Sequence, residues 1–344
     1  MKKQTYNLFT IIVMIAAVLR ITFMTISIPS LIFSDLLVEP DPTGIANNTT
    51  TNPSYGTGNN TTTDPSYGTG NNYLDPFGDN PFWNSSNYFP HGSAGEIDGT
   101  TIVVSIFASD PYSDWDSSRD ATTIANIKKY LSIAGDYLED VVSDYGKTAT
   151  FITDFEANPD LRYDMYFEDQ LTDPDYLDYG DIDYDVWEYI YANIDQDKLM
   201  TEFNADNVIY MVMINSDESN EAITCTRNWY DGMPYEYEII YLYNIDYEEV
   251  NCPAVYAHEM LHAFGAPDLY AESEDFRIDE DFLSYVEENM YNDIMLTCTD
   301  LSSYEYNYRN VTNEVGEVTA YYVGLTDHSD IVDEWNLRES EHLE

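Results

Sequence analysis

Residues 258–268 read HEMLHAFGAPD, and this stretch decides how the chain is expected to fold around a single site. On an α-helix, His258 and His262 stand one turn apart, so their imidazoles project from one face and can reach the same metal ion. Glu259 lies between them, where a general base can take a proton from a metal-bound water without occupying the metal. The alternative is an amphipathic helix whose histidines are only hydrogen-bonded, which this spacing disfavours in a chain with 5 histidines.

The end of this stretch predicts a sharp turn that completes the site. Gly265 follows the second histidine by three residues, and glycine readily adopts the left-handed backbone conformation that ends a helix. The turn brings Asp268 back as a third metal ligand and leaves a fourth position open for water. A glutamate from a later helix, Glu287 or Glu288, is the alternative third ligand. The glycine favours Asp268, because it has a purpose only if the chain turns at once.

The composition makes the chain strongly acidic. It contains 13 Lys and Arg against 64 Asp and Glu, and its formal net charge is −51 over 344 residues. Such a surface repels nucleic acid, so no nucleic-acid partner is expected. Hydrophobic residue types make up 44% of the chain and tyrosines number 32, which predicts a folded domain rather than a disordered acidic tail. Solubility, calcium binding and attraction of cationic substrates are the three explanations for the acidity.

A run of alternating aspartates raises the question of calcium. Asp181, Asp183 and Asp185 resemble the first positions of an EF-hand loop. The sixth position of that loop would be Val186 where a glycine is required, and the twelfth would be Ala192 where a bidentate glutamate is required. The sequence therefore excludes an EF-hand and leaves Ca²⁺ as a second candidate cofactor, at a site of another kind.

The N-terminal residues 1–35 predict export. Lys2 and Lys3 precede two apolar runs, at 8–19 and 21–33. Together the runs are long enough to span a bilayer of about 30 Å, and no small-residue cleavage pattern follows, so an uncleaved membrane anchor is favoured over a signal peptide. In both cases the lysines stay inside and the acidic remainder crosses. The protein is therefore expected outside the cytoplasm, either membrane-anchored or secreted.

Residues 36–95 predict a low-complexity stalk. The stretch NNTTTNPSYGTG (47–58) repeats as NNTTTDPSYGTG (59–70). Asn, Thr, Gly and Pro at this density bury too little apolar surface to offset chain entropy, so the segment is expected to be extended and solvated. The folded domain is expected at 96–344.

Strands and helices are expected to alternate in that domain. Continuous apolar runs indicate buried strands, and apolar residues three to four positions apart indicate helices. The predicted strands are 101–108, 149–155, 207–213, 222–226 and 237–243. The predicted helices are 121–145, 186–203, the HExxH helix with Pro253 in its first turn, and 317–325. The polar stretch 158–185 is predicted to be a loop.

Three cysteines permit at most one intrachain disulfide. Cys252 precedes the HExxH helix and Cys298 follows a later loop, so a bond between them would tie together two walls of the site. Cys225 would then be left over. The sequence leaves this pairing open.

The pattern HExxHxxGxxD at 258–268 resembles the metzincin metalloproteases, and more closely their bacterial members with Asp as the third ligand. The run GAPDLY (265–270) is similar to the corresponding run of immune-inhibitor-A-like secreted peptidases. The resemblance covers this helix and, more loosely, the strand order from residue 101 onward. It implies an α+β fold: a metzincin-like catalytic domain with a twisted mixed β-sheet, an active-site helix and a smaller C-terminal subdomain after a methionine turn.

The resemblance also implies roles for residues downstream. NDIMLT (292–297) fits the methionine turn beneath the metal, with Met295 as the turn residue. Thr297 stands where several metzincins carry a tyrosine that approaches the zinc, so no tyrosine ligand is expected; Tyr270 and Tyr291 are candidate hydrogen-bond donors. His328 is expected to be an ordinary surface histidine. Substrate is expected to bind as an extra strand along an edge strand at 222–226.

These features together predict a zinc-dependent endopeptidase that hydrolyses peptide bonds outside the cell. His258, His262 and Asp268 would hold Zn²⁺, and Glu259 would activate the zinc-bound water for attack on a protein or peptide substrate. The alternative is a surface-displayed binding or adhesion protein that keeps a metal for structure and cleaves nothing. Retention of Glu259 favours the enzyme, because a structural site does not need the base.

Overall fold

The computed structural model describes residues 92–172, 181–219, 226–228, 237–245, 247–270, 278 and 280–337. The expected anchor at 1–35 and nearly all of the expected stalk at 36–95 lie outside these residues. Within the described part of the chain, no helix combines the length and the apolar character needed to cross a membrane. Packing already involves Ala94 and Ile97, which are buried just before the first strand.

The described residues form eight strands and seven α-helices. The strands are β1 (Gly99–Ser109), β2 (Ala149–Ile152), β3 (Arg162–Tyr166), β4 (Asn207–Ile214), β5 (Thr226–Asn228), β6 (Tyr237–Tyr241), β7 (Tyr243–Asn244) and β8 (Glu249–Val250). The helices are α1 (Ala121–Asp144), α2 (Asp181–Asn193), α3 (Gln196–Phe203), α4 (Pro253–Ala263), α5 (Glu280–Asn289), α6 (Glu317–Tyr322) and α7 (Asp330–Trp335), with a 3₁₀ turn at Pro159–Leu161.

One mostly parallel sheet forms the centre of the described fold. Its strands lie in the order β2-β1-β4-β6-β5, and β3 also pairs with β1. The pairings of β1 with β2, β3 and β4, and of β4 with β6, are parallel, whereas β5 runs antiparallel to β6. Strands β1 and β4 are almost wholly buried, which explains why each reads as a continuous apolar run rather than an alternating one. The structure is therefore a mixed α/β fold, compatible with the expected α+β class.

Helices cover both faces of the sheet. Helix α1 lies against β2, where Gly135 approaches the side chains of Phe151 and Thr153. The strand register places Tyr210 on the opposite face from Phe151, because alternate residues of a strand point to opposite sides. There the Tyr210 hydroxyl lies 3.0 Å from Oε1 of Gln196, at the start of α3.

The HExxH helix α4 packs against α1 in the interior of the fold. All eleven residues of α4 are buried. Tyr256 on α4 packs against Tyr130 on α1 with ring centroids 6.1 Å apart. Phe264, just past the helix, meets Phe151 of β2 at 6.2 Å. A helix buried all round has little freedom to move, so its side chains are held in fixed positions.

The prediction of a loop over 158–185 is wrong. This stretch contains the 3₁₀ turn, strand β3 and the first residues of α2, so the aspartates at 181, 183 and 185 begin a helix. Only Met165 of β3 is buried, so the strand lacks the apolar pattern that would have revealed it. It forms because β1 is longer than β2 and leaves Ser105–Ser109 free to pair with it. Calcium binding at a site of another kind stays a candidate prediction.

The single helix predicted over 186–203 is two helices. Asp195 separates α2 from α3, and its Oδ1 accepts a hydrogen bond from the Lys198 backbone N–H at 3.0 Å. An aspartate side chain favours such a cap over a helix interior, because it competes with the backbone for local hydrogen bonds. The apolar period continues through Ile190, Ile194 and Leu199, all buried, and this conceals the break in the sequence.

The other predicted elements agree with the structure in position. The runs 101–108, 149–155, 207–213 and 237–243 contain strands, and 121–145 and 317–325 contain helices. Of the edge strand predicted at 222–226, only Thr226 is among the described residues, and it begins β5 (Thr226–Asn228); the rest of that prediction lies outside them. Pro253 is the first residue of α4, as expected.

Packing between α1 and β2 supplies a test of the fold. A Cβ at Gly135 would lie 3.0 Å from Cβ of Phe151, so Gly135→Val forces a shape change in a filled interior. We expect the free energy of unfolding in urea to fall by about 1–3 kcal/mol, as is usual for overpacking. Asp136→Val, at the adjacent exposed position of the same helix, should change it by less than about 0.5 kcal/mol. Equal losses for the two variants would contradict the packing described.

Candidate metal centre

Helix α4 carries three polar side chains into the interior. His258, Glu259 and His262 are all buried, in a helix that otherwise consists of apolar and aromatic residues. Pro253 begins the helix with its backbone angle already set, and Cys252 precedes it in extended conformation. Buried ionisable groups are costly unless they are paired or bind a metal. Their grouping on one helix therefore indicates a site rather than chance.

Gly265 makes the turn that completes the group. Its φ is +102°, a backbone conformation that residues with a Cβ rarely adopt. The Gly265 N–H donates to the His262 carbonyl at 2.7 Å, and the Ala266 N–H donates to the Leu261 carbonyl at 3.1 Å, so the chain reverses tightly. The reversal brings Asp268, three residues further on, back to the two histidines.

The three expected ligands present their donor atoms at one point. The Nε2 atoms of His258 and His262 lie 3.1 Å apart. Oδ1 of Asp268 lies 3.0 Å from Nε2 of His258 and 3.2 Å from Nε2 of His262. The three atoms thus form a nearly equilateral triangle. Ligand atoms about 2.0–2.1 Å from a tetrahedral Zn²⁺ would be about 3.3 Å apart, so the triangle fits one face of such a site.

Backbone carbonyls decide which nitrogen of each histidine is protonated. Nδ1 of His258 lies 2.9 Å from the Ile294 carbonyl, and Nδ1 of His262 lies 2.8 Å from the Ala266 carbonyl. A carbonyl only accepts, so Nδ1 carries the proton in each ring and Nε2 presents a lone pair when the ring is neutral. With both rings neutral, two nitrogen lone pairs face Oδ1 of Asp268, and none of these three atoms supplies a proton to the others. Only a cation at their centre, a metal ion or a proton, satisfies all three.

The charges around the site favour a cation. Burial by itself would lower the pKa of His258, but the neighbouring Cys298, Asp268 and Glu259 hold it well above its usual value. Burial would raise the pKa of Asp268, but His262 and His258 hold it well below its usual value. Each shift reflects the attraction between a carboxylate and an imidazolium: the ionised Asp268 favours the protonated form of His258, and positively charged histidines favour the ionised form of Asp268. The buried point therefore favours the presence of positive charge.

The expected methionine turn lies directly against this group. The Leu296 and Thr297 N–H groups donate to the Asp293 carbonyl at 3.0 and 3.1 Å, which closes a turn around the fully buried Met295. The preceding carbonyl, of Ile294, is the one that orients His258. Groups that orient a ligand from behind in this way are a regular part of protein metal sites.

Tyr270 lies at the site, whereas Tyr291 is exposed. The ring of Tyr270 stacks on His258, with centroids 6.4 Å apart and planes 22° apart. Burial and the charges of Asp268 and Glu259 raise the pKa of Tyr270, as does its hydrogen bond to Asp268. Its hydroxyl therefore remains protonated and acts as a donor beside the ligands. Tyr291 is 60% exposed.

The alternative ligands lie elsewhere. Glu287 and Glu288 are exposed on α5, and neither belongs to the group of convergent ligand atoms found among the described residues. His328 is exposed, and its Nε2 lies 2.9 Å from Oδ1 of Asp330. It is the surface histidine that the sequence predicts.

Two cysteines also lie close to the site. Cys252 and Cys298 are free thiols, and Sγ of Cys252 lies 3.6 Å from the Cys298 carbonyl oxygen. Burial raises the pKa of Cys252 to about 12, so this thiol is protonated at neutral pH. Cys225 lies outside the described residues. The start of the HExxH helix and the loop at Cys298 are thus adjacent, as a Cys252–Cys298 disulfide would require, but the two thiols are not bonded to each other.

One buried residue of the site was missed by reasoning from the sequence. Asp293 is buried two positions before Met295, and its carboxylate accepts a hydrogen bond from the Met295 N–H of the turn itself. Its signal in the sequence is a charged residue in the otherwise apolar end of NDIML. A buried carboxylate at that position requires several donors, and the sequence alone does not show where they come from.

Comparison with known proteins identifies no relative of this chain: no protein-family model, no curated protein and no solved structure matches it.

Removal of the third ligand tests the metal centre. Loss of a residue that only orients a ligand can weaken metal binding by about 100-fold. Asp268→Ala removes a ligand itself, so it should weaken Zn²⁺ binding by more than that. Competition with a chromophoric chelator measures the affinity. Glu287→Ala, which removes an exposed carboxylate on α5, should leave the affinity unchanged. If Glu287→Ala weakens binding and Asp268→Ala does not, the assignment of the third ligand is wrong.

Proposed function

We propose that this protein is a zinc-dependent endopeptidase of metzincin type that acts outside the cytoplasm. The observation that carries the proposal is the triangle formed by His258, His262 and Asp268, with Glu259 buried beside it on the same helix. A purely structural site would need the ligands but not a carboxylate held next to them. The export segment expected at 1–35 supports the location.

Zinc is the metal that this set of ligands suits best. Two imidazole nitrogens and one carboxylate oxygen are typical of catalytic zinc sites, which keep a fourth position for water or substrate. Magnesium and calcium prefer six or more oxygen ligands, which these three residues do not offer. The spacing of the three donor atoms also fits a small tetrahedral ion.

A bound Zn²⁺ supplies a Lewis acid that polarises the substrate carbonyl and makes a water acidic enough to be deprotonated near neutral pH. Glu259 supplies the base: its carboxylate accepts the proton of the attacking water and returns it to the leaving nitrogen. Burial keeps this carboxylate away from bulk solvent and in fixed relation to the two histidines. Tyr270 offers a neutral hydroxyl donor at the same point.

The turn geometry supports the metzincin type. In HExxHxxGxxD, the glycine must reverse the chain so that the third ligand follows at once, and Gly265 with φ of +102° makes this reversal. Met295 lies in a buried turn whose neighbouring carbonyl contacts His258. Zinc peptidases that take a glutamate from a later helix have no need of either feature.

The edge of the sheet suggests how substrate binds. Strand β5 ends the strand order and runs antiparallel to β6, so its outer edge is available to an extended peptide within the described sheet. Main-chain hydrogen bonds along such an edge bind peptides with little dependence on sequence. We propose β5, which begins at the last residue of the predicted run 222–226, as the substrate-binding strand.

Replacement of the base separates catalysis from metal binding. Glu259→Gln keeps the size of the side chain but cannot accept a proton, so kcat for a general protein substrate should fall by about 10²- to 10⁴-fold. Its zinc content should equal that of the wild type. Glu202→Gln, at an exposed position on α3, is the matched control and should retain full activity.

The same assays decide between the enzyme and the binding protein. Chelation should abolish cleavage by the wild type, and stoichiometric Zn²⁺ should restore it. A wild type that binds zinc but cleaves no member of a broad peptide library would refute the enzyme and support the non-catalytic alternative. Undiminished cleavage by Glu259→Gln would refute the role of the base.

A further inference from the structure

Asp293 joins the methionine turn to the C-terminal part of the described chain. Its Oδ1 accepts a hydrogen bond from the Met295 N–H at 2.9 Å, and its Oδ2 accepts one from the Gly316 N–H at 3.0 Å. The hydroxyl of Thr319, on α6, lies 2.9 and 3.0 Å from the two oxygens. Both oxygens of one buried carboxylate are thus used, and its donors come from two separate segments.

The turn held by Asp293 contacts one of the three expected ligands and the residue that follows another. The Ile294 carbonyl accepts from Nδ1 of His258 at 2.9 Å. The next carbonyl, of Met295, accepts from the Leu269 N–H at 3.0 Å, and Leu269 directly follows Asp268. Two successive carbonyls therefore set the orientation of one ligand and the backbone position of another. Displacement of the turn would disturb both at once.

The surroundings of Asp293 require a carboxylate at this position. A Cβ at Gly316 would lie 2.4 Å from Oδ2 of Asp293, so a glycine permits the close approach of the backbone. An asparagine would place an amide N–H₂ group where one of the two oxygens now accepts, opposite another donor. Burial raises the pKa of Asp293 to about 6. A buried carboxylate is costly, so its presence at position 293 is explained if its hydrogen bonds hold the turn in place.

We infer that Asp293 is a positioning residue for the metal: it holds the turn at 293–297 so that the Ile294 and Met295 carbonyls aim His258 and the Asp268 segment at one point. Asp293 itself does not contact the metal or the substrate. This inference rests on the proposed metal site. In it, Asp293 fixes the carbonyls that in turn orient the ligands. A residue in this position affects the affinity for the metal through the orientation of the ligands rather than through its charge alone.

The first test compares two destabilised variants. Asp293→Asn should weaken Zn²⁺ binding by about 10- to 100-fold, the range found when partners behind a ligand are lost. Gly135→Val disturbs the packing of α1 on β2, neither of which supplies a hydrogen bond to Asp293 in the contacts described above, and it is the matched control. It should lose stability yet bind Zn²⁺ within about twofold of the wild type, since a chain that remains folded keeps the triangle of ligands.

The visible spectrum of bound Co²⁺ gives a readout that stability does not move. The band positions of this ion depend on the geometry of its ligands. Asp293→Asn should shift the spectrum of the Co²⁺-substituted protein, whereas Gly135→Val should leave it unchanged. If both variants show wild-type affinity and spectrum, Asp293 is an ordinary structural residue and the inference is wrong.

A second pair of variants covers the case in which Asp293→Asn does not fold. Thr319→Val keeps the shape of the side chain and removes the hydroxyl that bonds Asp293, so Zn²⁺ affinity should fall by about tenfold, the lower end of the same range. Thr319→Ser keeps the hydroxyl and removes a methyl group, so it should bind as the wild type does. If Thr319→Ser weakens Zn²⁺ binding and Thr319→Val does not, packing at this position matters and the hydrogen bond does not.

The outcome also distinguishes this inference from the proposed function. A wild type that binds no Zn²⁺ would overturn both. A wild type that binds Zn²⁺ tightly, with Asp293→Asn and Thr319→Val unchanged, would overturn only the role of Asp293. Loss of affinity in these two variants, with Gly135→Val and Thr319→Ser unaffected, would support the role of Asp293 whether or not the protein cleaves peptides.

Discussion

The convergence of three hydrogen-bond acceptors on one buried point is the constraint on which the rest of this structure depends. His258 and His262 each use the Nδ1 proton on a backbone carbonyl, so with both rings neutral their remaining nitrogens face Oδ1 of Asp268 without a proton between them. Such a cluster is unfavourable until a cation occupies it. The buried helix and the turn after Gly265 can be understood as the means of holding that cluster together.

The fold meets this constraint by packing regular elements around two irregular turns. Helix α4 is buried and packs against α1, and the Ala94 N–H donates to the carbonyl of Ala263, the last residue of α4. The turns that carry Asp268 and Met295 are irregular, but each is hydrogen-bonded to the other, and Asp293 bonds the second to α6. Irregular backbone is thus fixed by buried polar contacts, which is how precise sites are built on loops.

Sequence reasoning succeeded where the physical signal was local. The positions of His258 and His262 follow from helical spacing, and the turn at Gly265 follows from the properties of glycine. Strands β1 and β4 can be recognised in the sequence as continuous apolar runs, because both faces of each strand are buried. Strand β3 gave no such signal, since its formation depends on an edge of β1 that no local pattern in 162–166 reveals.

The sequence by itself determined the candidate ligand types, their spacing on one helix and the glycine that reverses the chain, because these depend on contacts within about eleven residues. The tertiary structure decided that Asp268, and not Glu287 or Glu288, stands beside the histidines. It also decided which carbonyls orient them and that Asp293 holds the turn behind them. The reason is that these contacts join residues far apart in the chain, and only the packing of α4 and the C-terminal segment brings them together.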